Sequence, residues 1–105
     1  MELDPALDAT ALADLVSRKE VRPAELVEAA IARAEKLNPS INAIILPLYE
    51  RARERVAQTL PEGPLRGVPT TIKDLRTPAA GEPRRDGNRI LAGLDFHEDH
   101  DCFVA

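Results

Sequence analysis

The sequence is poor in the residues that staple or fill a small domain. It has one cysteine, no tryptophan and, in 105 residues, three aromatic side chains: Tyr49, Phe96 and Phe103. A lone cysteine, Cys102, makes no internal disulfide. That fits a reducing compartment and removes the bridge on which small secreted domains depend. There is no basic excess: 14 Lys+Arg stand against 18 Asp+Glu, a net charge of −4. Such a balance supplies no long-range attraction for phosphate backbones or anionic lipid, so neither a nucleic-acid nor a membrane partner is expected. No apolar run approaches the roughly 20 residues of a membrane span. The start, Met1-Glu2-Leu3-Asp4-Pro5, has neither the basic beginning nor the apolar stretch of a signal peptide. The expectation is a soluble, cytoplasmic protein, and nothing in the sequence implies a cofactor.

What is present is a chain meant to fold around a thin core. Apolar residues make up 44% of it, but 16 of them are alanine. Leu, Ile, Val and Phe total 27, above the roughly 20% below which a charged chain stays disordered. The length allows one domain, burying roughly two-thirds of the surface of its unfolded chain.

Local signals place the elements. Asp8 or Thr10 caps a first short helix with Leu12, Leu15 and Val16 on one face, ending near Lys19 or Glu20. Val21-Arg22-Pro23-Ala24-Glu25-Leu26 starts a second helix: Pro at its first position, Glu25 to reach back, and Val21 to staple onto Leu26. Arg22 stands where Ser or Thr would cap, a loss of about 1 kcal/mol. Leu26, Val27, Ala30, Ile31, Ala34 and Leu37 continue the helical period until Asn38-Pro39, which is expected to stop it. Ile41-Asn42-Ala43-Ile44-Ile45-Leu46 is short, apolar and β-branched, which predicts a buried strand closed by Pro47. Leu48 to Thr59 alternates charges around Leu48, Ala52 and Val56, which predicts a solvent-covered helix. Leu65 to Leu75, with a β-branched centre, predicts a second strand, and from Arg76 onward the pattern reads as loop. The fold class expected is therefore α/β: N-terminal helices plus one βαβ unit, an incomplete mixed sheet. Two parallel strands cannot stand alone, so apolar faces left exposed at 41–46 and 68–75 are expected too.

Five pieces then occur in a telling order: Pro23 to Leu26, Asn38-Pro39-Ser40-Ile41-Asn42-Ala43, Gly63-Pro64-Leu65-Arg66-Gly67-Val68-Pro69, Lys73-Asp74-Leu75, and Ala80-Gly81-Glu82-Pro83. Together they resemble the N-terminal part of the amidase-signature hydrolases, nearly end to end. The resemblance implies residues 1–105 as the N-terminal segment of an amidase domain, truncated, and an activity that hydrolyses carbon–nitrogen (amide) bonds through a Ser, cis-Ser, Lys triad. Lys73 matches the family's catalytic lysine, whose role there is general base. A neutral amine takes the proton that a bridging serine relays from the nucleophilic serine. The ammonium form must then be disfavoured by burial, hydrogen bonds or nearby cations. The plainer reading of Lys73 is an exposed lysine paired with a carboxylate, and Asp74 reads as a structural hydrogen-bond acceptor rather than a partner of that amine.

The family's serines lie downstream of the lysine, whereas the serines here are Ser17 and Ser40, neither beside a glycine. The isolated chain is accordingly expected to be inactive, and a small-molecule amide becomes a substrate only in a full-length context or with a complementing chain that carries the rest of the fold. Other departures are Thr70 in an apolar position, Arg84-Arg85 and Asn88 in place of small hydroxyl residues, and Cys102 after Asp101.

A second constellation is His97-Glu98-Asp99-His100-Asp101-Cys102. Histidines three apart meet on a helix face and, with Cys102, have the donor types of a zinc site. The alternative function is thus a small noncatalytic binding module holding metal at His97, His100 and Cys102. An acidic solvated loop is the simpler account, because nothing elsewhere adds a Cys or His ligand. Arg84, Arg85 and Arg89 have the chemistry to bind a carboxylate or phosphate, but Glu82 and Asp86 interleave them. The apolar ending Phe103-Val104-Ala105 favours truncation over a natural small domain.

Overall fold

In the computed structural model, which describes residues 3–75 and 79–93, the chain divides into two units, Met1–Pro69 and Thr70–Ala105. The first unit begins with helix α1 (Ala9–Ser17), started as expected by Asp8, whose carboxylate accepts the Ala11 N–H at 2.8 Å. The helix ends in a Schellman turn: Lys19 takes a left-handed φ of 59° while its N–H reaches Val16 and that of Glu20 reaches Leu15. Leu12, Leu15 and Val16 on its inner face are half-buried.

Helix α2 (Pro23–Ile41) supplies the core. Arg22 has no acceptor with which to cap it. Instead Glu25 reaches back to the Arg22 N–H at 2.8 Å, and the Glu25 N–H donates to the Arg22 carbonyl at 2.9 Å. Val21 and Leu26, the expected staple, are both buried, and with Val27 and Ile31 they form the buried core of the described residues. Apolar cover fades along the helix, so Leu37 is half exposed. Helix α3 (Tyr49–Val56), shorter than the 48–59 span expected, packs on α2. Arg53 joins the two helices by a two-pronged contact to Glu28, Nε at 2.7 Å and Nη2 at 2.9 Å, and its Nη1 also meets Glu50.

Three expectations need correction. Helix α2 does not stop at Asn38-Pro39 but runs through Pro39 to Ile41, where Asn42 turns left-handed at φ 48°. A proline in the last turn forfeits only one bond, to a carbonyl close to solvent, so the break comes later than its presence predicts. The segment 41–46 is not a strand. Ile41 ends the helix, and Asn38 bonds both backbone groups of Ile44, its Nδ2 to the carbonyl at 2.9 Å and its Oδ1 to the N–H at 2.8 Å. A side-chain amide thereby does the work of a neighbouring strand, and β-branched propensity decides nothing without a pleated surface to pack on. The segment 65–75 is irregular as well, with turns closed by Arg66 N–H to Gly63 and Val68 N–H to Leu65. Pro64 and Pro69 remove donors a ladder would need. The described residues are helical and loop, with neither βαβ unit nor sheet among them; Ile41, Ile45 and Leu75 are exposed within the two stretches anticipated, but so are Leu7, Leu37, Leu65 and Ile90 outside them.

Gly67 is held closely. Its φ is +81°, and a Cβ there would lie 2.7 Å from Pro23 Cγ and 3.0 Å from Pro23 Cβ. The turn therefore rests directly on the first residue of α2.

In the second unit, Asp86 and Gly87 have φ of 49° and 67°, and the Asn88 N–H donates to the Arg85 carbonyl at 2.7 Å. Two positive φ values in a closed four-residue turn define type I′, for which Asp-Gly is a preferred pair. Asn88 Oδ1 then accepts the Ile90 N–H at 2.8 Å, opening the short helix α4 (Arg89–Gly93) where loop was expected.

Three predictions test these contacts. Leu26→Ala, at a residue only 1% exposed, lowers stability by about 2–5 kcal/mol in urea denaturation followed by circular dichroism, whereas Leu37→Ala changes it by about 0.5 kcal/mol or less. Gly67→Ala costs about 1–3 kcal/mol, and Gly63→Ala, with open space around it, serves as the near-neutral control. Glu25 and Glu28 are held below the ordinary carboxylate value of 4.5, the first chiefly by the Arg22 N–H, the second by the Arg53 guanidinium. Both bind protons more weakly folded than unfolded, so their stabilisation is complete above the ordinary value and lost as pH falls through the depressed one. Glu25→Gln with Glu28→Gln should flatten the acid limb of a Tm-against-pH curve, and an unchanged limb would count against both contacts.

Candidate functional site

Lys73 lies in the irregular segment of the second unit and is exposed. Where the sequence pattern predicts a strand around it, the chain presents it from a loop, with neither helix nor ladder to fix its backbone, and Thr70 Oγ1 to the Thr71 carbonyl at 3.3 Å is a weak local bond. Its neighbour Asp74 is half-buried and accepts the backbone N–H of Arg85 at 3.1 Å. Asp74 is thus a structural acceptor, as expected, although the strand expected around Lys73 is not there, and its partner lies 11 positions on.

Arg84 and Arg85, which have the chemistry to bind a carboxylate or phosphate, divide. Arg84 forms a fork on Asp86, Nε to Oδ1 and Nη2 to Oδ2, each at 2.9 Å, with the two side chains 20% and 19% exposed. A guanidinium so matched by a carboxylate has its planar face of donors engaged. Arg85 is exposed, and what it contributes is its backbone N–H. The pairing of residues 74 and 85 escaped sequence reasoning, although Asp86-Gly87 was a readable turn signal that brings 84–88 into a tight corner.

The serines offer no nucleophile arrangement. Ser17 Oγ donates to the Asp14 carbonyl and Ser40 Oγ to the Leu37 carbonyl, both at 2.9 Å. Each hydroxyl is bonded back onto its own helix, the usual habit of serine near a helix end. His97, His100 and Cys102 fall outside the described residues. Among the described residues no group of three His, Cys, Asp or Glu side chains is placed to hold a metal, and no helix is long and apolar enough to cross a membrane.

The first unit has a shallow apolar depression of about 50 Å³ lined by Leu3, Leu7, Leu12, Leu26 and Pro69, with Arg33 at its edge. Substrate pockets usually measure about 300–1,000 Å³, so this depression does not hold a substrate.

No family model matches the chain. Individual proteins do. A 6-aminohexanoate-cyclic-dimer hydrolase from Pseudomonas sp. (strain NK87) is 40% identical over 96 residues, which is 91% of this chain and 19% of that protein. An acylamidase from Rhodococcus erythropolis is 39% identical over 97 residues, covering 82% of this chain and 19% of the relative. One subunit of the glutamyl-tRNA(Gln) amidotransferase from Nitratidesulfovibrio vulgaris (strain DP4) is 37% identical over 103 residues, 93% of this chain and 20% of the relative. Among solved structures, 6-aminohexanoate cyclic dimer hydrolase superposes with a TM-score of 0.86 at 38% identity, over 95% of this chain and 20% of that one. The chain spans about one-fifth of the length of the proteins it matches. On that shared fifth, sequence and backbone agree: the chain's homologues are amidase-signature enzymes.

Proposed function

We propose that this chain is the base-bearing segment of an amidase domain that hydrolyses carbon–nitrogen bonds, with Lys73 as the general base. The observation that carries the reading is the similarity over 95% of the chain to a solved hydrolase of a cyclic dimer. Lys73 falls inside that stretch, at the position where the Gly67-Val68-Pro69 and Lys73-Asp74-Leu75 pieces resemble the family pattern. In the mechanism the Lys73 amine, Nζ, takes a proton from a bridging serine as that serine takes one from the nucleophilic serine. The nucleophile's oxygen bonds to the amide carbon, and the carbon–nitrogen bond breaks as the proton held by the lysine passes back along the relay to the leaving nitrogen. A water molecule, deprotonated by the same relay, then cleaves the acyl ester to release the acid and restore the serine. The two serines and the backbone donors for the oxyanion come from outside these 105 residues, in the same polypeptide or in a complementing one. Ser17 and Ser40, bonded to helix carbonyls, do not supply them.

The role of the lysine dictates what must surround it. An amine acts as a base only where its charged form is disfavoured, and Lys73 is exposed in this segment. The remaining part of the domain therefore has two tasks, to bring the serines and to take Lys73 out of water. One relative is a component of an amidotransferase with more than one kind of subunit, so a further polypeptide in the working assembly is compatible with this reading.

A chimaera tests the proposal: the 105 residues replace the corresponding segment of the cyclic dimer hydrolase, and hydrolysis of that enzyme's cyclic dimer is measured. The chimaera is expected to turn over, and Lys73→Ala to lower kcat by about 10²- to 10⁴-fold, the usual contribution of a positioned base. Activity of the Lys73→Ala chimaera within about tenfold of its parent would overturn the assignment. The 105-residue chain alone should release no ammonia from simple amides, and a turnover there that disappears on Lys73→Ala would show that the serines are not needed.

A further inference from the structure

We propose that Asp74 is the positioning residue of the Lys73 site: by accepting the Arg85 backbone N–H, its carboxylate ties the segment carrying the base to the turn at Asp86-Gly87. The proposal rests on the reading of Lys73 as the base.

The segment itself explains why a tie is needed. Residues 68–73 have no helical or ladder pairing, so their course is not set by regular structure. The base must nevertheless meet its proton donor within hydrogen-bond reach, and a displacement near 1 Å costs about 10²-fold in rate. Lys73 and Asp74 are consecutive, so fixing the Asp74 carboxylate fixes the backbone from which the amine extends. Asp74 is half-buried while Lys73 is exposed, which puts the anchor inward and the amine outward.

The other end of the tie is rigid. Arg85 donates its N–H to Asp74 at 3.1 Å while its carbonyl accepts the Asn88 N–H at 2.7 Å. The residue is thus held from both of its backbone groups. The turn that follows carries left-handed φ values at Asp86 and Gly87, and the Arg84 fork on the Asp86 carboxylate braces that corner from the side. Asn88 then hands the chain to α4 through its bond from Ile90. A carboxylate accepting a backbone N–H is a charge-assisted bond, and here it joins two segments that lie outside the helices of the described residues.

Two measurements test the tie and separate it from the reading on which it stands. In the ¹⁵N-labelled 105-residue chain, Asp74→Ala should speed amide exchange at Arg85 by about tenfold or more, with the Glu25 amide unchanged. Asp74→Asn, which keeps a carbonyl acceptor, should restore Arg85 to within about threefold of the parent. In the chimaera with the cyclic dimer hydrolase, Asp74→Ala should lower kcat by about 10²-fold with KM within about threefold, and Asp74→Asn should recover most of the loss. Unchanged Arg85 exchange in Asp74→Ala overturns the positioning role even where Lys73→Ala abolishes turnover. A rise in KM at constant kcat overturns it too, since it would place Asp74 in substrate binding. Faster Arg85 exchange in Asp74→Ala, together with full turnover by the Lys73→Ala chimaera, overturns it as well: the tie is then a structural contact with no base to position.

Discussion

The first unit is organised around the start of α2, where one residue pair decides how closely two segments approach. Pro23 opens the helix, with a φ already suited to it and no N–H to leave unpaired. The same ring is the floor on which Gly67 rests, so close that a methyl group at position 67 would overlap it. Around this point the other restraints gather: Glu25 bonds back to Arg22, Val21 and Leu26 close the core, and Val16 of α1 comes within ordinary contact distance of the absent Cβ. Gly67 is thus required twice, by its positive φ and by the space it leaves free. Its place in the run Gly67-Val68-Pro69 has a packing cause as well as a family pattern.

Much of the first unit was legible because its signals are local. Asp8 as a cap, Pro23 as a first helical residue and Val21 opposite Leu26 each act within one turn of helix, and each sits where the side-chain chemistry required. Pro39 and the segment 41–46 were misread for a shared reason. A proline breaks a helix interior, but near the end of a helix it costs one bond. A run of isoleucines makes a strand only beside other strands, and here the Asn38 amide satisfies Ile44 instead. Both outcomes depend on where an element ends relative to what lies next to it, which a local pattern does not encode. The site was legible in a different way. No single feature of Lys73 marks it, and its proposed role as base rests on five short pieces in order. The contact from Asp74 to Arg85 joins positions 11 apart through a backbone N–H, a donor that every non-proline residue has and that no residue type signals.

The contrast between the two units bears on function. The first has a buried core, small as it is, and an ion pair linking α2 to α3 from Glu28 to Arg53. Among its described residues the second is held by polar contacts: a turn, a guanidinium–carboxylate fork, and one carboxylate on a backbone N–H. Contacts of that kind fix direction well and contribute modestly to stability, since each exchanges a bond to water for a bond to protein. If this segment carries the base as proposed, its precision depends on such bonds, which is why the loss of one acceptor should register in rate before it registers in folding.

Exposure of Lys73 and the chemistry proposed for it are then two sides of one constraint. Water stabilises an ammonium ion, and a base must hold its proton weakly enough to have room for another. If Lys73 is the proposed base, the groups that would disfavour its charged form are not among the described residues of its own unit, where Lys73, Leu75 and Ile90 are exposed. Under the proposed mechanism, whatever covers the Lys73 segment would also have to bring the serines to it. On that proposal, desolvation of the base and completion of the triad would be a single event, and the lysine would acquire its reactivity only where its proton donor is already in place.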